Sequence, residues 1–258
     1  MAAGQEQLAA PAVEIRVLQD LAEFEETLRI QSEVWGFSEA DQVPSRLLGV
    51  ARFIGGLVLG AYDGARMAGF SLAFPGRKPS GTAYWHSHMT AVLPAYQNSG
   101  LGRRIKLRQR EEAMQAGVSL IEWTFDPLET RNAHFNIERL GVVARRYVPN
   151  LYGITSSALQ GALPTDRLVA EWHVASPRVE AIVERGEKAD RNVEAEIEIP
   201  AEIAAMRTTD IAGALAVQSR AREQFERHFE AGLTVVGYRR GASGGVFELG
   251  QIRMQATE

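Results

Sequence analysis

The stretch Thr90-Ala91-Val92-Leu93-Pro94-Ala95-Tyr96-Gln97-Asn98-Ser99-Gly100-Leu101-Gly102-Arg103-Arg104 runs from a strand-like segment into a helix-like one. Glycines at 100 and 102 let the backbone approach a ligand with no Cβ in the way. The first N–H groups of a helix have no intrahelical partner, so with the helix dipole they favour a bound anion. A second feature points the same way. Helix starts favour acidic side chains, yet this one opens with Arg103, Arg104 and Lys106, while Glu111 and Glu112 come later. An anion held at the N-terminus, with the basic side chains around it, resolves the conflict. A dinucleotide turn fits less well: its third glycine falls on Ile105, and Glu122 stands inside a strand rather than at its end. The lysine loop of nucleotide hydrolases is absent, because no Gly-Lys-Ser/Thr occurs.

Working outward, Val13 to Leu18 alternates like a strand. Asp20 with Glu23 forms a capping box for a helix presenting Leu21, Phe24, Leu28 and Trp35, which Gly36 ends. Ser45 to Phe53 suits a short helix, and Leu57 to Tyr62 with Arg66 to Phe74 suits a hairpin turning at Asp63-Gly64. Thr82 to Leu93, Gly100 to Gln115 and Val118 to Phe125 read as strand, helix and parallel strand. A helix over Asn132 to Leu140, stopped by Gly141, and strands over Val142 to Val148 and Leu168 to Val174 complete the order β-α-α-β-β-β-α-β-α-β-β.

Residues 1–12 carry no periodic pattern and read as a flexible terminus, leaving 13–174 as the principal domain. Ser176-Pro177 reads as a helix start. The charged run that follows marks the change to an α+β extension over 175–258, packing on the core or on a partner. Its long helix, from about Asp210 to Ala231, presents Ile211, Leu215, Phe225 and Phe229 on one stripe, and a homodimer is one way to bury it.

With 45% hydrophobic and 23% charged residues, the chain has the composition of a packed fold, and its net charge of -4 argues against a general affinity for nucleic acid or anionic membrane. Any anion site must be local. The absence of cysteine excludes disulfides and thiolate chemistry, and five histidines without an HExxH pair give no reason to expect a metal. No apolar run approaches the ~20 residues that span a bilayer, and the reading is a cytoplasmic protein.

Gln97-x-x-Gly100-x-Gly102, with Val92-Leu93-Pro94-Ala95-Tyr96 before it and Arg103-Arg104 after it, resembles the acyl-CoA-binding signature of the GNAT superfamily of N-acyltransferases. The element order from Val13 to Val174 is similar to that fold, an α/β (α+β) arrangement with a mixed, mostly antiparallel twisted sheet flanked by helices. The resemblance implies that the backbone of Thr90, Ala91 and Val92 pairs with the pantetheine arm. It also implies that amides of Gln97, Asn98, Ser99, Gly100, Leu101 and Gly102 hold the pyrophosphate, which Arg103 and Arg104 help to neutralise. Asn132 or Asn136 would contact CoA, and the acceptor amine would meet the thioester where the strands Thr82 to Leu93 and Val118 to Phe125 splay apart.

N-acylation by direct attack, with no covalent enzyme intermediate, needs a base for the ammonium proton, donors for the developing oxyanion and an acid for the departing thiolate. Alternation places His86, His88 and Thr90 on one strand face and Glu122, Thr124 and Asp126 on a face of the next. His88 is the preferred base, with Glu122 another candidate; a hydrogen-bonded structural role for the histidines stays equally open. Members of the family often carry a tyrosine four residues before the glycine matched by Gly141; here it is Ile137, leaving Tyr147 or Tyr152 as the acid. The expected reaction moves an acetyl or succinyl group from CoA to a small amine. An amino acid would fit, its carboxylate held by Arg131, Arg145 or Arg146. Trp123 to Leu128 and Asn150 to Gly153 also look like a larger GNAT-like subgroup, some of it tied to N-acylamino-acid metabolism. The alternative is a non-catalytic acyl-CoA-binding sensor.

Overall fold

A computed structural model describes residues 13–153, 163–189, 191–241 and 243–252. The expected terminus, 1–12, lies outside them. Strand β1 (Glu14–Val17) leads into α1 (Leu21–Trp35), where the Asp20 carboxylate accepts the Glu23 N–H at 3.0 Å and Gly36, at φ 68°, ends the helix. Glu23 reaches back to the Gln19 N–H at 2.6 Å, one residue earlier than a standard capping box. Helix α2 (Ser45–Phe53) precedes the hairpin of β2 (Leu57–Asp63) and β3 (Arg66–Arg77). Then come β4 (Ala83–Val92), α3 (Leu101–Gln115), β5 (Leu120–Phe125) and α4 (Thr130–His134), which continues as a π-helix over Phe135–Arg139.

Strands β6 (Val143–Val148) and β7 (Arg167–His173) follow, then α5 (Pro177–Val183), β8 (Ala195–Pro200), α6 (Ile203–Thr209), α7 (Ile211–Glu230), β9 (Thr234–Gly241) and β10 (Gly244–Gly250). Among the described residues one sheet in the order β1-β2-β3-β4-β5-β7-β6-β9-β10-β8 includes all ten strands, and only β4 and β5 pair in parallel. The helices flank it. Helix α6 is an element that the sequence pattern did not reveal.

Helices α1 and α2 cover one face of the first strands through Phe24, Ile30 and Leu48 against Met67, Phe70 and Leu72. Ile105 and Ala113 of α3 cover the other, in a core that continues to Phe225, Val235 and Phe247. The expected stripe on α7 holds at Phe225, which is buried, and at Phe229, which packs half-buried on the core. Ile211 and Leu215, however, are exposed, and Ala214, Val217 and Ala221 are buried instead. Contact with β6 and β8 sets the helix rotation, and the small residues permit the close approach. Among the described residues no helix is long and apolar enough to cross a membrane.

Candidate active site

The parallel pairing of β4 and β5 consists of Trp85↔Ile121 and His86↔Glu122; past that point the strands separate. Beyond it, Thr90, Ala91 and Val92 pair with Ser71, Phe70 and Gly69 of β3 on one side and with no residue of β5 on the other. One row of strand hydrogen-bonding groups is thereby presented to the opening, where a cavity of about 410 Å³ is lined by His88, Met89, Thr124, Tyr152, Arg167 and Arg207, among others.

A β-bulge shapes this opening. Leu72 pairs with Met89 and Ala73 with Ser87, which leaves His88 as the extra residue of β4. Alternation across it fails as a guide. Ser87 and Thr90 lie on the α3 side, where Ser87 accepts from Lys106 and Thr90 meets Ser71, while Met89 and Ala91 join the core under α1 and α2. Thr90 is therefore turned away from the face expected for it with His86 and His88, whose rings stay neighbours, 6.0 Å between centroids. His88 opens on the cleft with its ring edge-on to Phe74, 5.7 Å between centroids, and the flanking protein lowers its pKa by desolvation. Burial, and then the neighbouring His88, lower that of His86.

Glu122 is buried with both oxygens engaged, by Lys78 at 2.5 Å and Arg146 at 2.7 Å, so it ties strands together rather than facing the cleft as a free base. Arg145 likewise pairs with Glu171 at 2.9 Å. Tyr147 donates to Asp166 at 2.7 Å and stacks on Phe225, 5.7 Å between centroids; burial and then Asp166 raise its pKa. The structure thus commits Tyr147 to the core, because the half of β6 that carries it packs under α7. Tyr152 lies on the cleft instead, its hydroxyl 2.9 Å from that of Thr124. Ile137 is fully buried.

At the loop, Asn98 (φ 61°) and Gly100 (φ 85°) both take the left-handed conformation, open space surrounds the position a Cβ would occupy on Gly100, and no side chain caps α3. The N–H groups of the first turn are left for a ligand. Gln97 secures the loop by donating to the Val92 carbonyl at 3.0 Å, and Ser99 donates to that of Tyr96 at 2.6 Å. Arg103 donates to the Val183 carbonyl at 3.2 Å and Arg104 to that of Val13, so each guanidinium is drawn away from the loop. Arg131 is instead drawn to the loop, donating to the Asn98 Oδ1 at 2.7 Å. Asn132 lines the cleft, whereas Asn136 is buried with its Nδ2 unpartnered.

Two further residues escaped the sequence reading. Arg207 of α6 pairs with Asp126 at 2.5 Å across a separation of 81 residues, a contact that leaves no local signal. Lys106, read only as a basic residue near a helix start, is buried beneath the separating strands, between Ser87 of β4 and the Trp123 ring of β5.

The acetyltransferase (GNAT) family model matches residues 21–142. Similar solved structures include a GNAT-family acetyltransferase from Desulfovibrio desulfuricans (20% identity, 64% of this chain and 100% of that one, TM-score 0.51). The ribosomal-protein-S18-alanine N-acetyltransferase of Escherichia coli is another (16% identity, 71% and 99%, TM-score 0.50). An aminoglycoside 6'-acetyltransferase type Ii also matches (16% identity, 63% and 98%, TM-score 0.50). No curated protein matches the sequence significantly. The structural likenesses establish the fold, and within it residues 21–142 match the acetyltransferase (GNAT) family.

Proposed function

We propose that the protein is an N-acetyltransferase that moves an acetyl group from CoA to the primary amine of a small molecule, an amino acid being the favoured class. The observation that carries the reading is the opening between β4 and β5, bordered by an uncapped glycine turn at α3. The free row of strand groups at Thr90 to Val92 suits an amide-bearing arm, and the first-turn N–H groups of α3, with Arg131 close by, suit a pyrophosphate. His88 takes the ammonium proton directly or through water, and its lowered pKa keeps the ring neutral near pH 7. Tyr152, not Tyr147, is the hydroxyl placed to protonate a departing thiolate. Arg167 and Arg207, which line the cleft beside Asp41, Asp126 and Glu129, take the place of Arg145 and Arg146 as the guanidinium groups within reach of an acceptor carboxylate.

The test begins with calorimetric titration of CoA, acetyl-CoA and succinyl-CoA into the wild type and a folded Gly100→Glu variant, followed by thiol release with a panel of amines. Micromolar binding lost in the variant, with release driven by an amine, is the expected result. Failure of the wild type to bind any of the three sinks the reading. The buried Ile137 favours one other reading, a non-catalytic acyl-CoA sensor, for which tight binding without turnover is the signature.

A further inference from the structure

A second cavity, of about 520 Å³, lies beside the proposed CoA loop, between the first turn of α3, the π-helical turn after α4, and α5 with the segment that follows it. Its wall carries six cationic side chains against three carboxylates, in a chain whose net charge is -4. The carboxylates are already engaged. Glu138 accepts from Arg191 at 2.5 Å and from the Tyr238 N–H at 2.7 Å, Glu184 accepts from Arg110 at 2.8 Å, and Glu187 from Arg185 at 3.0 Å. Arg103, Arg139, Arg178 and Lys188 are left with no ion pair among the described residues, Arg178 donating to backbone carbonyls instead.

Like charges left facing one another are unfavourable unless an anion sits between them. Arg103 shows the conflict directly: burial and then the charge of Arg139 lower its pKa, and its Nε is buried without a hydrogen-bond partner. Arg103 also belongs to the first turn of α3, whose N–H groups border the glycine loop, so the basin and the loop meet at this residue.

We propose that the basin seats a phosphomonoester dianion, the 3'-phosphate on the adenosine end of the CoA molecule whose pyrophosphate lies on the neighbouring loop. The inference rests on the acyl-CoA reading above. A dianion here relieves the repulsion between Arg103 and Arg139, and guanidinium groups suit the oxygens of a phosphate.

Dephospho-CoA differs from CoA by that phosphate alone, so calorimetry with the two ligands isolates it. Wild type binds CoA about tenfold or more tighter than dephospho-CoA, the scale of one or two hydrogen bonds to a charged group. Arg139→Ala and Lys188→Ala, both exposed positions checked by their thermal unfolding midpoints, bring CoA down toward dephospho-CoA and leave dephospho-CoA unchanged. Equal binding of the two ligands by wild type overturns the proposal and leaves the acyl-CoA reading standing. Binding of inorganic phosphate that both variants lose, alongside equal affinity for the two coenzymes, overturns it in favour of an independent phosphate site. If neither coenzyme binds, the acyl-CoA reading fails and takes the proposal with it.

Discussion

Lys106 donates from its buried ammonium to Ser87 at 2.8 Å and to Gln109 at 3.2 Å, and lies 3.8 Å from the centre of the Trp123 ring. No carboxylate pairs with it among the described residues, and burial pushes its pKa from the ordinary 10.5 down to about 7. The unfolded chain therefore binds one proton more than the folded one between those values, and stability rises with pH through that window. Below pH 7 the penalty is present in full. Lys106→Met is expected to stabilise the protein at pH 6.5 by on the order of 2 kcal/mol, less whatever the unpaired Ser87 and Gln109 cost, and to flatten the rise toward pH 9.5. Urea unfolding at the two pH values checks this; a wild type whose stability relative to Lys106→Met does not grow with pH contradicts it.

His88 carries the residue-scale prediction for turnover. A base with a lowered pKa must lose its proton before it acts, so kcat/KM rises as pH rises through that value. His88→Gln is expected to lower kcat/KM by roughly 10² and to remove that limb of the profile. An unchanged limb assigns the base to another group. The open glycine loop before α3 was legible because it is written in adjacent residues, glycines that leave no Cβ in the way. The bulge at His88 was not, because a register slip is a property of two strands, and β3 supplies the partner that defines it.

At the scale of elements, α6 is the least legible part of the candidate site and the part that brings in Arg207. Asp126 follows β5 directly; one carboxylate oxygen accepts the Leu128 N–H at 2.8 Å and the other accepts from Arg207. An element outside the matched 21–142 thus shapes a wall of the cleft. Arg207→Ala is expected to raise the acceptor KM about tenfold while leaving acetyl-CoA affinity unchanged, since none of the proposed coenzyme contacts lies on α6. Equal losses for acceptor and coenzyme would mean that the pair holds the cleft open rather than reading the acceptor. The strand and helix order was largely readable because periodicity is local. The packing of Tyr147 was not readable because its environment comes from Phe225 and Asp166, which are not its neighbours in sequence.

Over the whole molecule, the division read from composition, with its boundary after residue 174, falls in a connection while the hydrogen-bonded sheet runs across it. Strand β9 joins β6 at Ala144↔Val235, and Phe225 packs against Tyr147 of the first part and Phe247 of the second. A core shared in this way couples the two parts: neither can open without exposing apolar surface of the other. The wild type is therefore expected to unfold in one cooperative transition, followed in parallel by calorimetry and far-ultraviolet circular dichroism. Phe225→Ala, which empties a fully buried ring position, should lower that single transition by about 3–5 kcal/mol. Two separate transitions, of which Phe225→Ala moves only the one belonging to 175–258, would show instead that the extension folds as its own unit and that the strand joint at Ala144 is a docking contact.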